Sequence, residues 1–532
     1  MSPEKSSSAP TPSAPQAASS QPPKPPGPPT SVPLKIGVAL FGIWLSAMMA
    51  GLNSRLSGLA LADVRGAYGF GNDEASWINV CYSAGELLVM PFATWFAITF
   101  TVRRFYLVML WATAVIAAIA PFVVNLPLLV ALRTLQGITA GALVPLLMMM
   151  ALRFLPTSIR LHGLALYALT ATFSPNIAIW IAGYWLDTLE SVNWVSWQFV
   201  PTAVICTGLV GWGLPKEAVA WQRFGGINWF GIATGVPGLF LLGIALGQGN
   251  RLDWFNSPMI NFSLVAGAMF LAAYIKSEWN HPAPFIRFQL MGRRNIQVAF
   301  TCFVLILVVF SSGASVPMSF LASVQGYRAL QSAPLGLIIG VPQLLLGSLV
   351  ALLLYRKWVD ARATFAIGML VVAVACFFGM RVDPTWTWHE FVLLQVMQAI
   401  GQPLTVVSML FLSTSVVQPM EGPFIAGLVN TLRVLGTIVG AALVGRIELL
   451  RGHFHSSVIV DRYGAIAGTL PHEAPAASLA RSVAVQVSAL TTSDIYAVLG
   501  SVAVVIASAA VLFKRVPAPT ISAPPTPKAV SN

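Results

Sequence analysis

Residues 127–152 read PLLVALRTLQGITAGALVPLLMMMAL, an apolar run carrying a single charge, Arg133, and no acidic group. A helix needs roughly 20 mostly apolar residues to cross a hydrocarbon core about 30 Å thick, and this run is long enough. Gly137 and Gly141 are four residues apart and therefore share one helix face. Small residues at that spacing let another helix approach closely. Pro145 lies inside the same run, where it frees backbone groups that only a cavity or a neighbouring helix can satisfy. This stretch alone reads as a membrane-crossing helix built to pack against a partner.

The rest of the chain repeats the pattern. Of 532 residues, 56% are hydrophobic and only 9% charged, against about 25% charged in an ordinary soluble domain, and the mean hydropathy is +0.77. That composition excludes a soluble globule, a nucleic-acid-binding protein and a disordered scaffold, and implies a lipid bilayer as the surroundings. The apolar runs place spans at 36–58, 76–98, 105–123, 127–152, 163–186, 198–214, 229–247, 258–276, 296–322, 333–355, 363–380, 389–415, 423–447 and 494–513. The predicted fold class is an all-α polytopic membrane protein with fourteen spans. Residues 1–34 and 517–532 are rich in Pro, Ser and Ala, too poor in apolar surface to offset the entropy of ordering, and are expected to be disordered tails. The first apolar run ends in Ala47-Met48-Met49-Ala50, but it follows a long Pro-rich head and so reads as an uncleaved span.

An even number of spans puts both termini on one side. The tails and even-numbered loops hold 19 Lys and Arg, the odd-numbered loops 7 (Arg65, Arg251, Arg328, Arg381, Arg451, Arg462 and Arg481), and four more (Arg55, Arg133, Arg433 and Arg446) fall in or at the edge of spans, completing the 30. Basic residues concentrate in cytoplasmic loops, so both termini are expected in the cytoplasm. One odd-numbered loop is long, about Arg451 to Ser493. Within it Ala476–Ala489 has near-helical apolar spacing and reads either as an amphipathic helix on the outer membrane face or as a solvated loop.

Ionisable residues within spans cost at least about 2.5–3.5 kcal/mol at the span centre and are therefore candidates for function. Glu86 sits midway along span 2. It reads either as a proton carrier, whose affinity changes as burial and nearby cations change, or as a static charge-paired carboxylate. Arg133 can pair with a carboxylate on a neighbouring span and tune its proton affinity, or reach to the membrane interface. Arg55, near the outer end of span 1, and Arg433, within span 13, are further candidates for a cavity or for charge tuning. Gly436 and Gly440 on span 13 repeat the close-packing spacing, and Pro175 and Pro403 interrupt spans.

No enzyme constellation appears. The cysteines Cys81, Cys206, Cys302 and Cys376 lie in apolar runs without metal-ligand spacing, and His453, His455 and Asp461 lack a further ligand set. No G-x-x-x-x-G-K-[ST] sequence supports ATP use. No cofactor is expected, a proton gradient being the energy source.

Several of these residues together resemble the major facilitator superfamily, and within it the fourteen-span drug:proton antiporters of the EmrB/QacA type. The resemblance runs from Val38 to Lys514. It is carried by Arg133-x-x-Gln136-Gly137-x-x-x-Gly141 on span 4, Trp77 on span 2, Pro156–Arg160 after span 4, Arg251–Phe255, and Asn430–Arg433 on span 13. It implies a 6+2+6 arrangement: a six-helix bundle over 35–215, a two-helix insert over 216–290, and a second bundle over 291–516. It implies alternating-access export of small amphipathic organic compounds against protons across the inner membrane; the charges within the spans then point to Glu86 and Arg133 for proton coupling and to Arg55, Asn53, Gln136 and Arg433 for the cavity or charge tuning. A periplasmic adaptor protein is an implied partner. An importer or symporter on the same fold, or a non-transporting receptor, are the alternatives. The chain departs from the family pattern in three places. Asn53 stands where an Asp is usual and cannot carry a proton. The span 2–3 loop retains only Arg103-Arg104 of a Gly- and Arg-rich motif. On span 5, Pro175 is followed by Ala182-Gly183 in place of the usual Gly-Pro pattern.

Overall fold

A computed structural model of the chain describes residues 33–156, 159–467 and 476–518. The predicted tails lie almost wholly outside the described residues. They overlap at two places: span 1 begins at Leu34, immediately after Pro33, which fits a helix start because proline has no N–H to leave unpaired, and Pro517 and Ala518 follow the last helix without regular structure.

Among the described residues the secondary structure is helical, with no strand. Fourteen helices are long and apolar enough to cross a membrane. Spans 1 to 7 are Leu34–Leu59, Asn72–Thr99, Val102–Phe122, Leu126–Phe154, Arg160–Thr188, Trp194–Gly213 and Trp229–Gln248. Spans 8 to 14 are Pro258–Asn280, Arg294–Val324, Ala329–Leu354, Ala361–Gly379, Val392–Thr414, Gly422–Ala465 and Ala477–Leu512. With fourteen crossings, Pro33 and Ala518 lie on one side, called here the termini side. The opposite side carries Ala467 at the end of the span 13 helix and Ala476 at the start of the span 14 helix, and is called the hairpin side.

Close packing follows the small residues. Gly137 faces the backbone carbonyl of Tyr82, a Cβ on Gly141 would stand 3.0 Å from the Cα of Glu86, and Gly85 in return faces the carbonyl of Thr134. Three glycines thus interlock spans 2 and 4 around the backbone of Glu86. Spans 5 and 10 run together along their length: Gly183 abuts Leu330, and Gly336 abuts the carbonyl of Asn176. Gly436 and Gly440 seat span 13 on span 9, at 3.1 Å from Val304 Cα and 3.2 Å from Val308 Cα for an added Cβ.

Spans 7 and 8 pair with each other, and span 7 lies on span 2 through Gly243 and Gly247, which meet Ala84 and Val80. Buried Glu278 at the end of span 8 accepts hydrogen bonds from Asn228 Nδ2 (2.7 Å) and from the backbone N–H groups of Phe285 (2.5 Å) and Ile286 (3.2 Å), which folds the following linker back. On the hairpin side the loop after span 7 reaches span 13: Asn250 Nδ2 donates to the Ala442 carbonyl at 2.8 Å, and Asp253 pairs with Arg446 at 3.5 Å.

The stretch 451–493 differs from both sequence expectations. Span 13 belongs to one uninterrupted helix, Gly422–Ala467, of 46 residues, about 69 Å long at about 1.5 Å per residue and so far longer than a hydrocarbon core of about 30 Å. Span 14 likewise belongs to the helix Ala476–Ser508. Ala476–Ala489 is therefore neither a solvated loop nor a helix lying on the membrane. Leu479 and Val483 of the spacing Leu479, Val483, Gln486 and Leu490 face a space shared with the span 13 extension, as Val487 does, while Leu490 is exposed, so a second helix meets only part of that pattern. Asp494 ties the two helices, accepting Arg451 Nε at 2.6 Å and meeting His455 Nε2 at 2.6 Å. His455 is thus engaged with Asp494, not with Asp461.

Candidate functional site

Glu86 is buried, 7% exposed, and its two carboxylate oxygens face different helices. Ser54 Oγ on span 1 donates to Oε2 at 3.2 Å, and Arg433 Nη2 on span 13 donates to Oε1 at 3.2 Å. The ion pair thus joins residues 347 positions apart in sequence. Burying both charges is costly, and pairing with good geometry is what makes it tolerable.

Arg133 is buried too but meets no carboxylate among the described residues. Its Nη1 donates to Gln136 Oε1 at 2.6 Å, its Nη2 donates to Ser57 Oγ, and its guanidinium lies 4.8 Å from the centre of the Tyr82 ring. Of the roles open from sequence, direct pairing with an acid falls to Arg433, because span 13 presents that side chain to span 2 while Arg133 points toward span 1. Arg133 does not reach the membrane interface; it locks spans 1, 2 and 4 together beside Glu86. Asn53 is buried and turns toward Tyr82, donating to its hydroxyl at 3.5 Å; its neighbour Ser54 reaches Glu86. Asn53 Oδ1, Arg133 Nε, Gln136 Nε2 and Arg433 Nε are buried without a hydrogen-bond partner, so the cluster retains unused donors and an unused acceptor.

Directly above this cluster opens a cavity of about 1280 Å³. Ser54, Arg55, Asn79 and Ser83 line one wall, Pro175 and Asn176 another, and Gln402, Thr437 and Gly440 the third. Its deepest residues lie near the middle of their spans, and its lining continues only toward the hairpin side. Toward the termini side the space is filled: Met148, Met149 and Met150 on span 4 and Val407, Leu410 and Leu412 on span 12 are buried. Gly427 of span 13 rests on the Met90 and Pro91 carbonyls of span 2, and the Leu161 N–H donates to the Tyr355 hydroxyl at 3.4 Å.

Arg55 lines this cavity, and no hydrogen bond or ion pair at contact distance reaches it among the described residues. Glu448, nearer the mouth, is the carboxylate in the lining. Behind Gln402, in the third wall, runs an uncharged polar chain. Gln402 Oε1 accepts from Gln343 Nε2 at 2.8 Å, Gln402 Nε2 donates to Gln398 Oε1 at 3.2 Å, and Gln398 Nε2 donates to Ser312 Oγ at 2.8 Å. Below the Glu86–Arg433 pair, the Tyr167 hydroxyl donates to Asn430 Oδ1 at 3.1 Å, linking spans 5 and 13.

On the hairpin side Arg328, ahead of span 10, pairs with Asp187 at 2.6 Å and with Asp63 at 3.2 Å, and the Leu330 N–H donates to Asp187 Oδ2 at 2.9 Å. Sequence reasoning missed Ser54, Ser57, Tyr82, the glutamine chain and Asp187. The only local signal was for the glutamines: Gln395, Gln398 and Gln402 recur at helical spacing within an otherwise apolar span.

The family model of the Major Facilitator Superfamily matches residues 43–441. The Escherichia coli K12 probable multidrug resistance protein EmrY is 26% identical over 436 residues, covering 79% of this chain and 82% of its own. The Haemophilus influenzae multidrug export protein EmrB is 23% identical, with 81% and 84% covered. The Neisseria gonorrhoeae fatty acid resistance protein FarB is 25% identical, with 84% and 85% covered. Among solved structures, a POT family transporter in complex with 5-aminolevulinic acid superposes with a TM-score of 0.53 at 14% identity, over 90% of this chain and 95% of that one. The human organic anion transporter MFSD10 gives 0.52 at 14% identity, over 88% and 98%. These structural likenesses establish the fold.

Proposed function

The chain belongs to the major facilitator superfamily, as a multi-pass membrane transporter with relatives of the EmrB type and not an enzyme, and from that premise we propose that it is a proton-coupled antiporter exporting amphipathic organic compounds. The observation that carries the reading is Glu86, a buried carboxylate shared between Arg433 and Ser54, of which Ser54 lines the cavity. A carboxylate whose countercharge sits on another moving helix changes its proton affinity when that contact opens, because loss of the cation favours the protonated form. Alternating access moves such helices against one another. Separation of Glu86 from Arg433 then promotes proton uptake, and their reunion expels the proton. The energy source is the proton gradient, with no bound cofactor.

The substrates are neutral or weakly acidic amphiphiles in preference to cationic dyes. Arg55 brings into the cavity a positive charge that no hydrogen bond holds among the described residues, and Gln402 offers uncharged hydrogen bonding. One relative is named for fatty acid resistance, which agrees with an anionic head on an apolar body. The helices are arranged 6+2+6, with both termini cytoplasmic in the inner membrane, as the Lys and Arg bias of the loops argues. The hairpin side then faces outward, where a periplasmic adaptor protein would receive the compound.

The test uses inside-out vesicles with an imposed proton gradient and a panel of amphipathic compounds. Collapse of the gradient by neutral or acidic compounds in the wild type, lost in Glu86→Gln, is the expected result. Full collapse in Glu86→Gln, or cationic dyes as the best substrates, sinks the assignment.

A further inference from the structure

We propose that the extensions of spans 13 and 14 beyond the membrane form a second substrate site, a groove that holds the apolar part of an exported amphiphile after it leaves the membrane-level cavity. The inference rests on the export reading above and adds a site to it. Its first support is continuity: the lining that begins at Arg55 runs without a break to Gly452, Ser456 and Val460 on one helix and Val483 and Val487 on the other. The second is position. Val460 is 38 residues along a helix that begins at Gly422, about 57 Å at about 1.5 Å per residue and therefore well outside a core of about 30 Å.

The third support is the pattern of side chains. Gly452, Ser456 and Val460 recur every four residues and share one face, as do Val483 and Val487 opposite. Small residues hold that face open. A Cβ added to Gly452 would meet Val487 and Thr491 at 4.0 Å, ordinary van der Waals contact, so one further carbon fits between the helices there. Meanwhile Arg451 and His455 grip Asp494 at 2.6 Å and hold the two helices together at the groove's base. Apolar walls beside water are costly unless something covers them. An amphiphile whose head rests near Arg55 supplies that cover: its apolar body can slide outward along a continuous wall without crossing open water.

The experiment uses the full chain in lipid nanodiscs with Ser456→Cys, and Ser457→Cys as the exposed control on the neighbouring face. The native cysteines are all buried, so a membrane-impermeant maleimide reads the introduced thiol. The probe is 1-anilinonaphthalene-8-sulfonate, an anionic aromatic amphiphile. At about ten times its Kd it is expected to slow labelling at Ser456→Cys about tenfold by mass action, with labelling at Ser457→Cys unchanged. Equal labelling rates with and without probe at Ser456→Cys overturn the groove. In inside-out vesicles, Ser456→Trp is expected to cut probe-driven gradient collapse at least about tenfold relative to Ser457→Trp, an effect of about 1.4 kcal/mol on the transport rate. Protection at Ser456→Cys without gradient collapse in the wild type leaves the groove standing and removes the export reading. Collapse in the wild type and in Ser456→Trp, with no protection, does the reverse.

Discussion

Glu86 on span 2 and Arg433 on span 13 meet at 3.2 Å beneath the cavity, and each side chain is only 9% exposed. The pair couples the floor of the cavity to the packing of two helices, because span 2 is fixed to span 4 by interlocking glycines and span 13 to span 9 by Gly436 and Gly440. Neither charge can be changed without an effect on both packing and binding.

Removing one partner leaves the other as an unpaired buried charge, which costs about 3–5 kcal/mol, whereas replacing both with neutral groups is often close to neutral. Arg433→Gln is therefore expected to lower the melting temperature in nanodiscs clearly, and Glu86→Gln plus Arg433→Gln to restore most of it. The double variant should still show no proton-coupled transport. A double variant as unstable as Arg433→Gln would mean that the pair is not what holds these helices.

Gly137 is expected to tolerate nothing larger. A side chain there would enter the carbonyl of Tyr82 and push span 2, with Glu86, off span 4. Overpacking of this kind costs about 1–3 kcal/mol. Gly137→Val should melt lower than wild type by that order and lose transport, while Gly208→Val, where an added Cβ meets nothing within 4 Å, should match wild type in both. Thermal unfolding followed by tryptophan fluorescence separates the two variants.

Much of the fold was legible because a membrane span is written in local composition: all fourteen apolar runs correspond to helices in the structure. The hairpin extension was not legible. Arg451, His453 and His455 break the apolar run and look like a loop, yet helix continuation depends on backbone propensity and on a partner helix, and neither is recorded in hydropathy. The site was half legible. An acid in mid-span announces Glu86, but its partner is 347 positions away, and nothing in either segment encodes that the two helices touch. Arg133 was the natural guess because Gly137 and Gly141 on its own span mark a face for close approach of a neighbouring helix. Its hydrogen bonds to Ser57 and Gln136 could be seen only once spans 1 and 4 were placed together.

The hairpin-side junction of spans 5 and 10 rests on Asp187, which accepts both Arg328 Nε and the Leu330 N–H at the start of span 10. A carboxylate at a helix N-terminus is favoured by the helix dipole, but Arg328 is largely exposed, and exposed pairs contribute about 0–1 kcal/mol. Asp187→Ala is expected to destabilise more than Arg328→Ala, because only the former also strips the cap from span 10. The two losses should fall short of additive by about 0.5–1 kcal/mol in a double-mutant cycle measured by thermal melting. Strict additivity would show that the ion pair contributes nothing and that the cap alone matters.

On the termini side Arg293 forks onto Glu421, with Nη1 to Oε2 and Nη2 to Oε1 both at 2.7 Å, and also donates to the Val416 carbonyl at 2.6 Å. The hydrogen bonds from Arg293 hold the Glu421 carboxyl below its ordinary value. The unfolded chain then binds a proton at Glu421 more readily than the folded one, so folding stability from this group rises with pH across that interval. The contribution is fully present above the ordinary glutamate value of about 4.3 and is lost as pH falls from there through the lower folded value. It should therefore be constant between neutral pH and about pH 5 and decline only in stronger acid. Melting of wild type and Glu421→Gln in nanodiscs across that range should give a constant gap at neutral pH that closes on acidification. Because Arg293 is the cause of the shift, Arg293→Ala should also flatten the wild-type acid dependence relative to Glu421→Gln. A gap that instead widens on acidification would mean that the folded carboxyl is held above its ordinary value, which is incompatible with the fork to Arg293.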